Sequence, residues 1–125
     1  MDDRKNQRVL VVDDDLPFLE ATRTMLEEHG YTIVEAADGT AALEIAASNQ
    51  RTIDLLLTDV VMRGLNGPEL SARLRASNPG LKVVYMSGYT GELIAEHDFL
   101  QPGVTLLEKP FTRASLLSAI DKTLG

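Results

Sequence analysis

Asp13-Asp14-Asp15, Asp59, Ser87 and Lys109 are the residues of this chain suited to chemistry on a charged group, and each ends or directly follows a short segment that reads as a strand. Two carboxylates about 4 Å apart repel by roughly 4 kcal/mol at the dielectric of a protein surface, so acids brought together need a cation or raised pKa values. An all-oxygen acidic site without His or Cys favours a hard cation, and one with few ligands that keeps its waters favours Mg2+ over Ca2+. A metal beside a lone Asp, faced by a hydroxyl and an ammonium, suits phosphoryl transfer to oxygen. Metal and Lys109 would neutralise the equatorial oxygens, Ser87 would hydrogen-bond one of them, and a carboxylate would attack to give an aspartyl phosphate. Asp59 stands alone after its run and is the expected nucleophile, whereas the adjacent Asp13 and Asp14 are better placed to hold metal. Singly, each residue has an ordinary reading: Asp15 before Leu16-Pro17 as a helix cap, Ser87 before Gly88 as a turn residue, Lys109 as a solvated charge. Their convergence carries the chemistry.

Convergence requires elements that end side by side. Val9-Leu10-Val11-Val12 reads as a strand buried on both faces. A helix follows, with Pro17 in its first turn, Phe18, Ala21 and Met25 at helical spacing beside Leu19, Thr22 and Leu26, and Gly30 at its end. Thr32–Glu35 is a second strand. Thr40 to Ala47 is a helix with Leu43, Ala46 and Ala47 on one face and Asp38 as its cap. Leu55–Thr58 runs into Asp59, and Met62 to Gly67 reads as loop. A helix from Pro68 to Arg75 stops at Asn78-Pro79-Gly80, and Lys82–Met86 is a fourth strand. Another helix is expected between Gly91 and Gln101, with Leu93, Ile94 and Leu100 inside, closed by Pro102-Gly103. Thr105–Glu108 is the fifth strand, and Leu116, Leu117, Ile120 and Leu124 form the stripe of a last helix capped near Thr112. Five strands alternating with five helices predict a single doubly wound α/β domain with a mostly parallel sheet. Such sheets bind ligands outside the carboxyl ends of their strands, where the acids, Ser87 and Lys109 all fall.

Composition excludes several classes. A chain of 125 residues, 44% hydrophobic and 25% charged, suits one globular domain, here residues 1–125 with an ordered core over about 8–124 and a polar tail at 1–7. Without Cys there is no disulfide framework, thiolate zinc site or cysteine nucleophile. The net charge of −7 opposes direct contact with nucleic acid or anionic membrane, and no apolar run approaches the length of a membrane span. The expectation is a cytoplasmic domain, monomeric or weakly dimeric.

These residues, in this order, resemble the receiver domain of two-component response regulators. The motifs are Val-Val-Asp-Asp at 11–14, Leu-Leu-Thr-Asp at 56–59 followed by Met62 and Gly67, Met-Ser-Gly at 86–88, and Lys-Pro-Phe at 109–111, and the likeness spans Val9 to Leu124. The resemblance implies the flavodoxin-like strand order 2-1-3-4-5. It implies that Asp59 accepts a phosphoryl group from a histidine kinase or histidine phosphotransfer protein. Asp14, Asp59 and the backbone carbonyl of Val61 would hold Mg2+, and Asp13 would support the metal through water. Ser87 and Lys109 would bind the phosphoryl oxygens, and a cis peptide bond would precede Pro110. The face around the fourth helix, fifth strand and last helix would carry the output, and Val61 and Tyr89 would tune the phosphoryl lifetime. The Tyr85–Tyr89 run and the stretch from Pro102 to Phe111 resemble receivers at the C-terminal end of hybrid sensor kinases.

Two departures stand out: Leu106 occupies a position where many receivers carry an aromatic switch residue, and Arg63 one where the family often has Pro. The competing readings are a receiver-like module that is never phosphorylated and a haloacid-dehalogenase-like phosphatase. The latter needs Asp-x-Asp-x-Thr or Val after the first strand, whereas Asp13-Asp14-Asp15-Leu16-Pro17 has Pro at the last position. A Gly-rich nucleotide-binding turn after the first strand is also missing. On this reading the chain is a phosphoacceptor with self-phosphorylation and self-hydrolysis, not an enzyme turning over an external substrate.

Overall fold

The continuous apolar runs Val9–Val12, Leu55–Leu57 and Val83–Met86, three or four residues each, are long enough to cross a sheet and too short for a buried helix, and they form its three central strands. A computed structural model describes residues 7–48, 52–88 and 104–125. Its strands are β1 (Arg8–Val12), β2 (Thr32–Ala36), β3 (Leu55–Asp59), β4 (Lys82–Ser87) and β5 (Val104–Glu108), and its helices α1 (Leu16–Glu28), α2 (Gly39–Ser48), α3 (Gly67–Ser77) and α4 (Arg113–Leu124). The sheet is parallel in the order β2-β1-β3-β4-β5, as expected. The helix expected between Gly91 and Gln101, Tyr89, and the tail up to residue 6 lie outside the described residues.

Alternate residues of each strand face opposite layers, so the two cores are written in alternation along single runs. Leu10, Val12, Leu56, Val83 and Tyr85 pack under α2 and α3 with Ala42, Leu70 and Leu74. Val9, Val11, Leu55, Leu57, Val84 and Met86 pack under α1 and α4 with Leu19, Leu26, Leu116 and Ile120. Each fully buried Val or Leu contributes about 1.5–3 kcal/mol, so β1 and β3, with almost nothing exposed, anchor the layer on which the rim rests.

Helix starts are fixed by side-chain caps. Asp15 accepts from the Phe18 N–H at 3.3 Å, Asp38 from that of Ala41 at 2.8 Å, and Thr112 from that of Ser115 at 3.0 Å. Asn66 and Glu69 form a reciprocal capping box on α3, at 2.8 and 3.0 Å. That box starts α3 at Gly67, one residue before the position Pro68 indicates. In α2 the buried stripe centres on Ala42, which joins the core under the sheet, with Leu43 and Ala46 half-buried and Ala47 exposed, while a Cβ at buried Gly39 would stand 2.7 Å from the Leu65 side chain.

Candidate functional site

β1 and β3 are paired neighbours, so the residues just beyond them emerge together at the carboxyl edge of the sheet. Among the described residues, Asp13, Asp14 and Asp59 form a group whose carboxylate oxygens all lie within 4.8 Å of one another. Asp59 pairs in register with Met86, and Ser87 follows directly at the end of β4. Ser87 pairs with Glu108, and its carbonyl accepts from the Lys109 N–H at 2.8 Å, which ties the start of the β5 loop to the same edge. The Lys109–Pro110 peptide is cis, as expected.

The three acids have different surroundings. Asp13 has 0% exposure; one oxygen accepts from the Asp15 N–H at 2.9 Å and the other lies 2.7 Å from Lys109 Nζ. Both oxygens thus have donors within the chain, which leaves Asp13 poorly placed as a nucleophile or direct metal ligand. Asp14 is exposed, accepts from the Arg63 N–H at 3.3 Å, and borders an open cleft of about 390 Å³ also lined by Ala37, Asp38, Thr40, Arg63 and Gly64. Asp59, with 16% of its side chain exposed, takes a longer ion pair from Lys109 at 3.3 Å. Ser87 is 2% exposed, and Val61, two residues beyond Asp59, is 52% exposed.

Burial is the main reason that the Asp59 pKa stands above the ordinary aspartate value; Lys109 opposes it, and the charge of Asp13 adds to the rise. Burial works against the Lys109 ammonium, but the hydrogen bond and charge of Asp13, followed by those of Asp59, outweigh it and raise that pKa. Lys109 therefore belongs first to Asp13. A divalent cation matches this donor set, since hard oxygen ligands converge, the chain has no Cys, and among the described residues no His joins the group. Asp14, which is accessible, and Asp59 are the side chains able to turn an oxygen to it.

Two features lie beyond the sequence expectations. Gly67 is the first residue of α3, and a Cβ there would stand 2.6 Å from the Asp59 carbonyl oxygen, so this glycine permits the close approach that seats the β3 end against α3. Phe18, expected as part of an apolar helix face, lies with its ring centroid 4.3 Å from Lys109 Nζ. No sequence pattern marks that contact, because helical spacing gives Phe18 a core role equally well.

A five-stranded parallel sheet in this order, with paired acids after β1, an acid ending β3, a hydroxyl ending β4 and a lysine after β5, defines one class of protein. The chain belongs to the response regulator receiver domain family, whose pattern matches residues 9–121. It is 34% identical over 116 residues to the sensor kinase CckA of Brucella abortus, covering 93% of this chain and 12% of the kinase. It is 29% identical over 118 residues to the response regulator receiver protein CpdR of the same organism, covering 94% of this chain and 97% of that one. A crystal structure of the receiver domain from hybrid histidine kinase CckA superposes with a TM-score of 0.80 at 36% identity, covering 94% of this chain and 99% of that chain. The likeness to a hybrid-kinase receiver thus agrees with the sequence expectation, although the chain corresponds to about an eighth of the full sensor kinase's length. Among the described residues no helix is long and apolar enough to cross a membrane.

Proposed function

We propose that this receiver domain accepts a phosphoryl group on Asp59 in an Mg2+-dependent reaction and signals through the resulting change at the rim. The convergence of Asp13, Asp14 and Asp59 within 4.8 Å, with Lys109 bonded to two of them, is the observation that carries the reading. Asp14, Asp59 and the Val61 carbonyl would hold the metal. Asp13, its oxygens occupied by Asp15 and Lys109, would reach it through water. The bound cation supplies positive charge for the phosphoryl oxygens and relieves the repulsion among the acids.

In the transfer, an Asp59 carboxylate oxygen attacks phosphorus as the bond from phosphorus to the donor nitrogen or oxygen breaks, and the electron pair leaves with the donor. Lys109 turns from the Asp59 carboxylate toward a phosphoryl oxygen, and Ser87, at the end of β4, donates to another. The added charge and three acceptor oxygens draw on the loops after β4 and β5, which makes the surface around β5 and α4 the output face. The donor would be a histidine kinase or a histidine phosphotransfer protein, in keeping with the likeness to CckA. The domain would act in the cytoplasm as a monomer or weak dimer, without direct contact to nucleic acid or membrane.

Borohydride reduction after incubation with acetyl phosphate and Mg2+ tests the site assignment, because an acyl phosphate is reduced to an alcohol. Peptide mapping is expected to find homoserine at position 59; conversion at Asp13 or Asp14, or none at all, would overturn the assignment.

A further inference from the structure

Lys109 carries the charge that the phosphoryl group must meet, yet its three N–H donors begin among carboxylates. One points to Asp13 at 2.7 Å and one to Asp59 at 3.3 Å. The ammonium also lies over the Phe18 ring, 4.3 Å from its centroid, well within cation–π range. Phe18 is held in place from both sides. Its N–H donates to the Asp15 carboxylate that caps α1, and its ring meets Phe111 edge-to-face with centroids 5.2 Å apart at 75°. The Asp15 N–H in turn donates to Asp13, the residue that pairs with Lys109. Asp13, Asp15, Phe18 and Lys109 thus form a closed circuit of contacts around the ammonium.

We infer that Phe18 is a positioning residue for phosphoryl transfer: its ring face holds the Lys109 ammonium at the acidic rim without occupying one of its N–H donors. The inference rests on the reading of Asp59 as phosphoacceptor. The alternatives at position 18 show why a ring matters. A carboxylate would add charge to a site that already gathers three, and a hydroxyl or amide oxygen would engage a donor needed by the incoming phosphoryl oxygen. An aliphatic side chain would keep the bulk but give a half-buried ammonium no attraction on that side. The aromatic quadrupole attracts the cation without a fixed direction. Lys109 can therefore turn from the Asp59 carboxylate to the phosphoryl oxygen while it stays over the ring.

The test varies the ring's electrostatics at nearly constant shape. Phenylalanine, 4-fluoro- and 3,4,5-trifluorophenylalanine are placed at position 18, with Phe18→Tyr and Phe18→Leu alongside, and the second-order rate of phosphorylation by acetyl phosphate at saturating Mg2+ is read by intact mass. Thermal midpoint and Mg2+ affinity are measured on each. The expected result is a graded fall with each added fluorine, to about fivefold for the trifluoro ring and for Phe18→Leu, with Phe18→Tyr within about twofold of wild type. Midpoint and Mg2+ affinity should stay level across the fluorinated series, since a merely structural role would not follow ring charge. Equal rates across that series would overturn the inference while leaving Asp59 as phosphoacceptor. A wild type that takes no phosphoryl group at all would overturn the underlying reading and this inference with it.

Discussion

Replacing Asp59 by Asn is expected to stabilise the metal-free protein, although it removes an ion pair. The 3.3 Å contact with Lys109 is worth about 5 kcal/mol at an effective dielectric of 20. Against it stand a repulsion of about 3.5 kcal/mol from buried Asp13 within 4.8 Å and a solvent-screened one of about 1 kcal/mol from exposed Asp14. These nearly cancel, so the cost of desolvating the Asp59 carboxylate decides the sign, in agreement with burial as the main cause of its raised pKa. A gain of about 1–2 kcal/mol is expected, or about 3–8 °C in unfolding midpoint for a domain of this size. Because the folded pKa lies above the unfolded value, the carboxylate penalises folding most at pH above that folded pKa. The penalty fades as pH falls toward the ordinary aspartate value of 3.8. The variant's advantage should therefore be largest near neutrality and shrink on acidification. Circular dichroism melts in EDTA and in excess Mg2+ provide the assay, with wild type gaining from the metal and Asp59→Asn gaining much less. An Asp59→Asn protein less stable than wild type in EDTA, or stabilised equally by Mg2+, would refute the reasoning.

Lys109→Met leaves the carboxylate of fully buried Asp13 with the Asp15 N–H but without its ammonium, and should cost about 3 kcal/mol in urea unfolding; a loss below about 1 kcal/mol would contradict the primacy of that pair. Gly67→Ala forces a Cβ toward the Asp59 carbonyl and should destabilise by about 2 kcal/mol while weakening Mg2+ binding, both measurable by titration calorimetry and denaturation. The side chain of half-exposed Val61 has no polar atom with which to orient water, so loss of phosphoryl label in Mg2+ should be slow. Val61→Asn should shorten the label's lifetime about threefold or more, and equal lifetimes in a timed mass assay would dismiss the role.

Much of the fold was legible because β1, β3 and β4 are buried on both faces and so appear as continuous apolar runs bounded by Asp, Asn-Pro-Gly or Ser-Gly. The caps at Asp15, Asp38 and Thr112 were equally readable, since a short polar side chain ahead of a helical pattern has one common use. The site's membership followed from asking what ends each strand. Its inner organisation did not. Asp13 and Asp14 are neighbours of identical chemistry, and what separates them is that one points beneath the Lys109 ammonium and the other toward an open cleft. Gly67 read as part of a loop because its reason for being glycine is the backbone of Asp59, a tertiary contact. Phe18 fitted the apolar pattern of α1, and its position over Lys109 depends on how α1 meets the chain after β5. Helix boundaries moved by a residue or two where reciprocal capping outweighed the proline signal, as at Asn66 and Glu69.

The central claim is that Asp59, assisted by a divalent cation, takes a phosphoryl group. Intact-mass analysis after incubation with acetyl phosphate, with Mg2+ or with EDTA, on wild type and Asp59→Asn tests it most directly. One added phosphoryl group is expected on wild type in Mg2+, none in EDTA, and none on the variant. An adduct that persists in EDTA or on Asp59→Asn, or its absence from wild type in Mg2+, would contradict it.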